Sequence, residues 1–147
     1  MVNIAKSFST DVVNCVMSDV LHQYSVTVNR VVDGDTLDVD IDLGFNVVLK
    51  RKRVRITGID TPELRTEEGR KARTFVIDWV FYKKQSTSPF ILRVEAHKED
   101  KYGRILGTLW CNGEDLAQQL VLKGYAVTYD GKSPKGDKML LPPDNGE

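Results

Sequence analysis

The chain has 147 residues, 41% of them hydrophobic and 29% charged, which fits one soluble globular domain and argues against disorder. Its 21 basic and 21 acidic residues cancel, which argues against a protein that coats nucleic acid by bulk charge and leaves a local basic site open. No apolar run approaches the roughly 18 residues of a membrane span, and two cysteines, Cys15 and Cys111, form no CxxC and are read as reduced and structural.

The first element is a helix over Asp11–His22, predicted from Val12, Val13, Val16, Met17, Val20 and Leu21 at helical spacing, with Ser9 or Thr10 as its cap. Met1–Tyr24 carries one lysine and no continuous apolar stretch, so no export signal is predicted and a cytoplasmic location is expected. A contact with a second copy through this helix is left open.

From Ser25 the texture becomes β. Val26, Val28, Val31 and Val32 predict a strand that ends at the turn Asp33-Gly34. Thr36–Leu43 alternates apolar Leu37, Val39, Ile41 and Leu43 with acidic Asp38, Asp40 and Asp42, the pattern of a half-buried strand. Gly44 turns the chain into a third strand, Val47–Ile59. Such short connections leave no room for crossovers, so these strands are antiparallel. A helix follows, with Thr66 as cap, Glu67 and Glu68 in the first turn, and Ala72, Phe75, Val76, Trp79 and Val80 on one face. Phe90–His97 and Ile105–Trp110 are the last two strands, joined by a charged loop. Leu116, Ala117, Leu120 and Val121 make a short helix that ends at Lys123-Gly124.

Three strands, a helix, two strands and a helix is the element order of an OB-fold, here expected as an α+β protein built on a five-stranded antiparallel barrel. The organisation is an N-terminal helical extension over 1–24, the barrel domain over 25–130 and an irregular tail over 131–147.

Four segments carry chemistry: Asp33-Gly34-Asp35-Thr36, Arg55, Asp60-Thr61-Pro62-Glu63, and Asp100-Lys101-Tyr102-Gly103-Arg104. Each has a plain alternative. Asp-Gly is a hairpin signal, Thr61-Pro62 suits the opening of a helix, Tyr-Gly-Arg suits a turn, and Arg55 suits a snorkelling strand residue. Together they supply what phosphodiester hydrolysis needs: carboxylate oxygens for a hard cation and for a water-directed base, and two guanidinium forks for phosphate oxygens. His97 and His22 have no partner at ligand spacing, and no zinc site is expected.

These motifs, in this order and at this spacing, resemble the staphylococcal nuclease (thermonuclease) family. The likeness covers about residues 25 to 130 and continues through Lys123-Gly124-Tyr125-Ala126. It implies a calcium-dependent endonuclease acting on DNA and RNA and leaving 3′-phosphates. By resemblance, Asp35 and Asp60 supply carboxylate ligands to calcium and Thr61 a backbone carbonyl. Glu63 matches the general base, Arg55 and Arg104 match the phosphate clamps, and Lys101, Tyr102 and Tyr129 fall among residues that contact substrate. The family's long C-terminal helix is not expected here, because Pro142-Pro143 and Gly146 interrupt one.

A second reading is a non-catalytic barrel of this type that binds nucleic acid or a protein partner, although such modules lose catalytic carboxylates or arginines. A plain single-strand binder would want aromatics along its strands, which here are rich in Val, Ile and Leu. Lys50, Arg51, Lys52, Arg53 and Arg55 place five basic residues in six positions. In a regular strand Arg51, Arg53 and Arg55 share a face, so Arg51 and Arg53 are expected to extend a positive strip that guides substrate to Arg55. The alternative is a solvated strand that protects a sheet edge.

Overall fold

A computed structural model describes residues 22–129, and of residues 96–98 the backbone alone. The predicted first helix up to Leu21, the tail over 131–147 and the side chain of His97 therefore lie outside the described residues.

The first three strands form the predicted antiparallel meander: β1 (Gln23–Asp33), β2 (Thr36–Gly44) and β3 (Val47–Ile56). Alternation turns Leu37, Val39 and Ile41 of β2 inward, and Val54 and Ile56 of β3 complete that face. On β1 the register slips between Val28 and Arg30, so the next buried residue after Val28 is Val31 rather than Arg30.

The expected long third strand divides. After Ile56, Thr57 and Gly58 bend the chain, with Gly58 at φ 83°, and Ile59–Asp60 forms a separate short strand, β4. Helix α1 (Glu67–Lys84) opens at Thr66, whose hydroxyl accepts the Gly69 N–H at 3.0 Å. Ala72, Val76, Trp79 and Val80 form its buried stripe, and Arg73 Nε donates to the Val31 carbonyl at 3.2 Å, tying the helix to β1.

Strands β5 (Phe90–Glu99) and β6 (Ile105–Cys111) then extend the sheet from β1, and β7 (Glu114–Asp115) leads into α2 (Leu116–Leu122). Asp115 caps α2 by accepting the Ala117 N–H at 3.0 Å. Last, β8 (Val127–Thr128) pairs with β4. The order β3-β2-β1-β5-β6 closes on itself through a β3–β6 pairing.

That closing seam corrects the expectation of an antiparallel barrel: Val54, Arg55 and Ile56 pair with Ile105, Leu106 and Gly107 in parallel, so the barrel is mixed. The chain between them is long enough, with α1 and β5, to return in the same direction. Gly107 lets the seam close tightly, since a Cβ there would lie 2.3 Å from the Arg93 carbonyl oxygen. The core is continuous from Val26 to Ala126 and includes Leu92, Leu109, Leu116 and Leu120, all nearly inaccessible. Cys111 is a buried free thiol. Among the described residues no helix is long and apolar enough to cross a membrane.

Candidate active site

Three chain segments meet at one end of the barrel. The β1–β2 turn delivers Asp35, the end of β3 delivers Arg55, and β4 with the loop after it delivers Asp60 and Thr61. Asp35, Asp60 and Thr61 are all buried, and the Arg55 side chain is only 14% exposed.

Gly34 makes this convergence possible. Its φ is not positive, so the hairpin does not need glycine for backbone freedom. A Cβ there would lie 2.8 Å from Thr61 Cγ2 and 2.9 Å from Ala72 Cβ. The missing side chain lets the turn press against the Thr61 loop and α1, and the Thr61 N–H then donates to Asp35 Oδ2 at 3.2 Å. Gly69 does the same on the other side: a Cβ there would sit 2.0 Å from the Glu63 carbonyl oxygen. The first turn of α1 is thereby laid onto the Pro62-Glu63 backbone.

Arg55 is the hub. Its Nη2 lies 3.2 Å from Asp60 Oδ1 and 3.4 Å from Asp35 Oδ2. Its Nη1 donates to the Ile59 carbonyl at 3.1 Å and to the Ile56 carbonyl. One planar fork thus spans two buried carboxylates and two backbone oxygens, a geometry that a point charge does not reproduce.

Burial pushes the Asp35 carboxyl up, but its hydrogen bond with Asp33, the Arg55 charge and the Thr61 amide outweigh this and hold it below the usual carboxylate range. Asp33 takes the opposite course. Burial, then the hydrogen bond and negative charge of Asp35, push it up to about 6. Asp35 N–H also donates to Asp33 Oδ1 at 3.1 Å, and Thr36 Oγ1 donates to Asp35 Oδ1 at 3.1 Å. Asp33 and Thr36 therefore orient Asp35. Sequence reasoning had the segment but assigned only Asp35; the signal was the Asx-turn spacing of Asp33 to Asp35.

Two carboxylates, Asp35 and Asp60, share the Arg55 guanidinium, and their oxygens are hard donors. This donor set suits calcium rather than a soft metal. Among the described residues no group of three or more His, Cys, Asp or Glu that could hold a metal ion is gathered.

The remaining predicted residues stand around this cluster. Glu63 lies in the loop that follows Asp60 and β4, exposed, with its carboxylate 2.7 Å from Arg65 Nε. Its carbonyl accepts from the Thr66 amide at 2.9 Å and from the Thr66 hydroxyl at 2.7 Å. The helix-opening alternative for Thr61-Pro62 is thus excluded, because Thr66 caps the helix.

Arg104 stands one residue before the β3–β6 pairing, level with β3 and near Arg55 along the seam. Its guanidinium is held by Asp100 Oδ2, at 3.0 Å from Nε and 2.9 Å from Nη2, rather than by the Asp35–Asp60 pair. Asp100 Oδ1 also accepts the Tyr102 and Arg104 amides, so this one carboxylate shapes the turn and aims the arginine. Tyr102 is exposed, with Lys101 Nζ 5.2 Å and Arg104 Cζ 5.1 Å from its ring centre. Tyr129 N–H donates to the Gly58 carbonyl at 3.0 Å, which brings it beside β4.

The basic run does not form the regular strip that alternation predicts. Val39 pairs with Lys52 and Ile41 with Leu49, so Asp40 faces both Lys50 and Arg51 across a bulge, and Arg51 takes φ 55°. Asp40 accepts the Arg51 amide at 2.9 Å and pairs with Lys50 Nζ at 3.2 Å. Arg53 is gripped by both oxygens of Asp38, at 2.7 and 3.0 Å, and Lys52 lies 3.5 Å from Glu99. The acidic side chains of β2 thus meet much of the positive charge of β3. The alternating aspartates of β2 were the available signal.

A family model described as staphylococcal nuclease homologue matches residues 53–141, which include Arg55, Asp60, Thr61, Glu63 and Arg104. The chain is 34% identical over 108 residues to an uncharacterized 38.1 kDa protein of Capnoides sempervirens, covering 67% of this chain and 30% of that protein. It is 33% identical over 90 residues to the staphylococcal-like nuclease CAN1 of Arabidopsis thaliana, covering 59% and 26%. It is 38% identical over 85 residues to the protein ParB of Escherichia coli, covering 58% and 41%. The chain therefore spans between 26% and 41% of the length of the last two relatives.

Proposed function

The chain belongs to the staphylococcal nuclease family, and from that premise we propose that it is a calcium-dependent endonuclease that hydrolyses DNA and RNA and leaves 3′-phosphates. The observation that carries the reading is the joint grip of one half-buried guanidinium on the buried Asp35 and Asp60. A structural role alone does not require burying two carboxylates around a single cation, because desolvating such charges is costly.

Asp35, Asp60 and the Thr61 carbonyl would hold the calcium. A bound calcium would supply positive charge that polarises the phosphate and makes a nearby water more acidic. Glu63, free to turn from its exposed pairing with Arg65, accepts the proton of the attacking water. The water oxygen attacks phosphorus, the bond to the 5′-oxygen breaks, that oxygen takes a proton from solvent and leaves as a 5′-hydroxyl, and the phosphate stays on the 3′-side. Arg55 and Arg104 donate to the phosphoryl oxygens as charge builds on them. Lys101, Tyr102 and Tyr129 border the position of the nucleotide, and a cytoplasmic location is part of the same proposal.

The test is incubation of the chain with single-stranded DNA and RNA in calcium, in magnesium and in chelator, followed by end-group analysis. Calcium-dependent products with 3′-phosphates and 5′-hydroxyls are expected. Magnesium should support the reaction poorly, since it demands a tight octahedron and dehydrates reluctantly. Binding without cleavage in every condition would instead favour the non-catalytic module.

A further inference from the structure

Asp100 closes the turn between β5 and β6 with its backbone and with its side chain. Its N–H donates to the Arg104 carbonyl at 2.7 Å, and its carbonyl accepts the Gly103 amide at 2.9 Å. Gly103 takes φ 80°, which glycine adopts without strain. Asp100 Oδ1 accepts the Tyr102 amide at 2.9 Å and the Arg104 amide at 2.8 Å. Arg104 then leads into Ile105, which stands opposite Val54 in the parallel seam, and Leu106 stands opposite Arg55. The backbone of Arg104 is thereby set in register with Arg55.

The two carboxylate oxygens of Asp100 have different partners. Oδ1 accepts backbone amides, whereas Oδ2 meets the guanidinium, at 3.0 Å from Nε and 2.9 Å from Nη2. The Asp100 and Arg104 side chains are 14% and 28% exposed, so solvent screens this pair less than an ordinary surface pair. The Tyr102 ring flanks the same guanidinium, its centre 5.1 Å from Arg104 Cζ. Asp100 engages the Nε–Nη2 edge of the planar fork and leaves the Nη1 side for an incoming acceptor. Arg55 is placed differently: its Nη1 donates to the Ile59 and Ile56 carbonyls and its Nη2 to Asp60. A long side chain that must order itself around a phosphate loses rotamer freedom as it does so. A carboxylate that already holds it removes much of that cost from the reaction.

We propose that Asp100 is a positioning residue for Arg104: through Oδ2 it holds the Nε–Nη2 edge, so that the Nη1 side is presented to a phosphoryl oxygen. This rests on the reading of the barrel end as a nuclease site and deepens it, because Asp100 acts on the reaction through Arg104 rather than by touching substrate.

Asp100→Asn tests this, since the amide keeps an oxygen for the turn and sets an NH2 group against the guanidinium. On single-stranded DNA in calcium, kcat should fall about tenfold or more, with KM within about threefold of the unsubstituted chain. In an Arg104→Ala background, read with the chain in excess over DNA, the same substitution should change the rate by less than about twofold, because no guanidinium remains to be positioned. An equal loss in both backgrounds assigns Asp100 to the turn alone and overturns the proposal, as does full turnover of the single variant. If Asp100→Asn unfolds, Asp100→Ser replaces it in the cycle, its hydroxyl also accepting turn amides. In the unsubstituted chain the Arg104 Nε–H, followed by NMR, should exchange with water about tenfold or more slowly than that of free arginine. Exchange at the free rate overturns the grip and the proposal with it. Absence of turnover in the unsubstituted chain overturns the nuclease reading instead, and the Nε–H exchange then decides on its own whether Asp100 holds Arg104.

Discussion

Replacing Arg55 by lysine keeps the charge and removes the fork, which separates neutralisation from geometry. The guanidinium serves Asp60 at 3.2 Å, Asp35 at 3.4 Å, the Ile59 carbonyl at 3.1 Å and the Ile56 carbonyl. An ammonium donates from one point and cannot serve both carboxylates and both carbonyls. A loss of about two such contacts, at roughly 1.5–3 kcal/mol each for charged partners, is offset in part because the buried carboxylates keep a counter-charge. The expected loss of stability is about 2–4 kcal/mol. Urea unfolding in chelator measures it, as a lower midpoint at unchanged slope. Turnover on single-stranded DNA in calcium, under conditions where the variant is fully folded, should fall by about 10²-fold or more. Turnover within about threefold of the unsubstituted chain would refute the clamp. An unchanged urea midpoint would refute the view that the fork braces the two loops.

Gly69→Ala should destabilise by about 1–3 kcal/mol even though alanine is the better helix former, because its Cβ meets the Glu63 carbonyl at 2.0 Å and backbone has to move; an unchanged or raised melting temperature would contradict the close approach. Arg51→Ala with Arg53→Ala should change the salt dependence of DNA binding by less than one phosphate contact per lost charge, since Asp38 and Asp40 already engage that strand. A slope shallower by about two contacts would restore the guiding strip. Asp40 is lowered to about 2 by the Arg51 amide, then Asn29 and Lys50. A carboxyl lowered on folding stabilises above its unfolded value of 3.8 and loses that contribution as pH falls toward 2. The urea midpoint of Asp40→Asn should therefore fall less between pH 4 and pH 2 than that of the unsubstituted chain, and equal falls would refute the assignment.

Much of the architecture was legible in the chain. The alternation of Leu37, Val39 and Ile41, the stripe from Ala72 to Val80 and the Thr66 cap each depend on neighbours in sequence, so local periodicity revealed them. The candidate residues were legible as residue types at motif spacing. Their division into a buried cluster of Asp35, Arg55, Asp60 and Thr61, with Glu63 and Arg104 held apart by Arg65 and Asp100, was not.

By itself the sequence determined element types, the meander, the caps and which side chains carry the chemistry, because each follows from residues within a few positions of one another. Tertiary structure alone decided the parallel β3–β6 seam, the bulge that puts Arg51 out of line and the contact of the Thr61 amide with Asp35 across 26 positions. Those features follow from closing the barrel. Once Gly34 presses against Thr61 and Ala72, and Gly107 against the Arg93 carbonyl, steric fit between distant segments sets which charges share a buried site, and no local pattern encodes that fit.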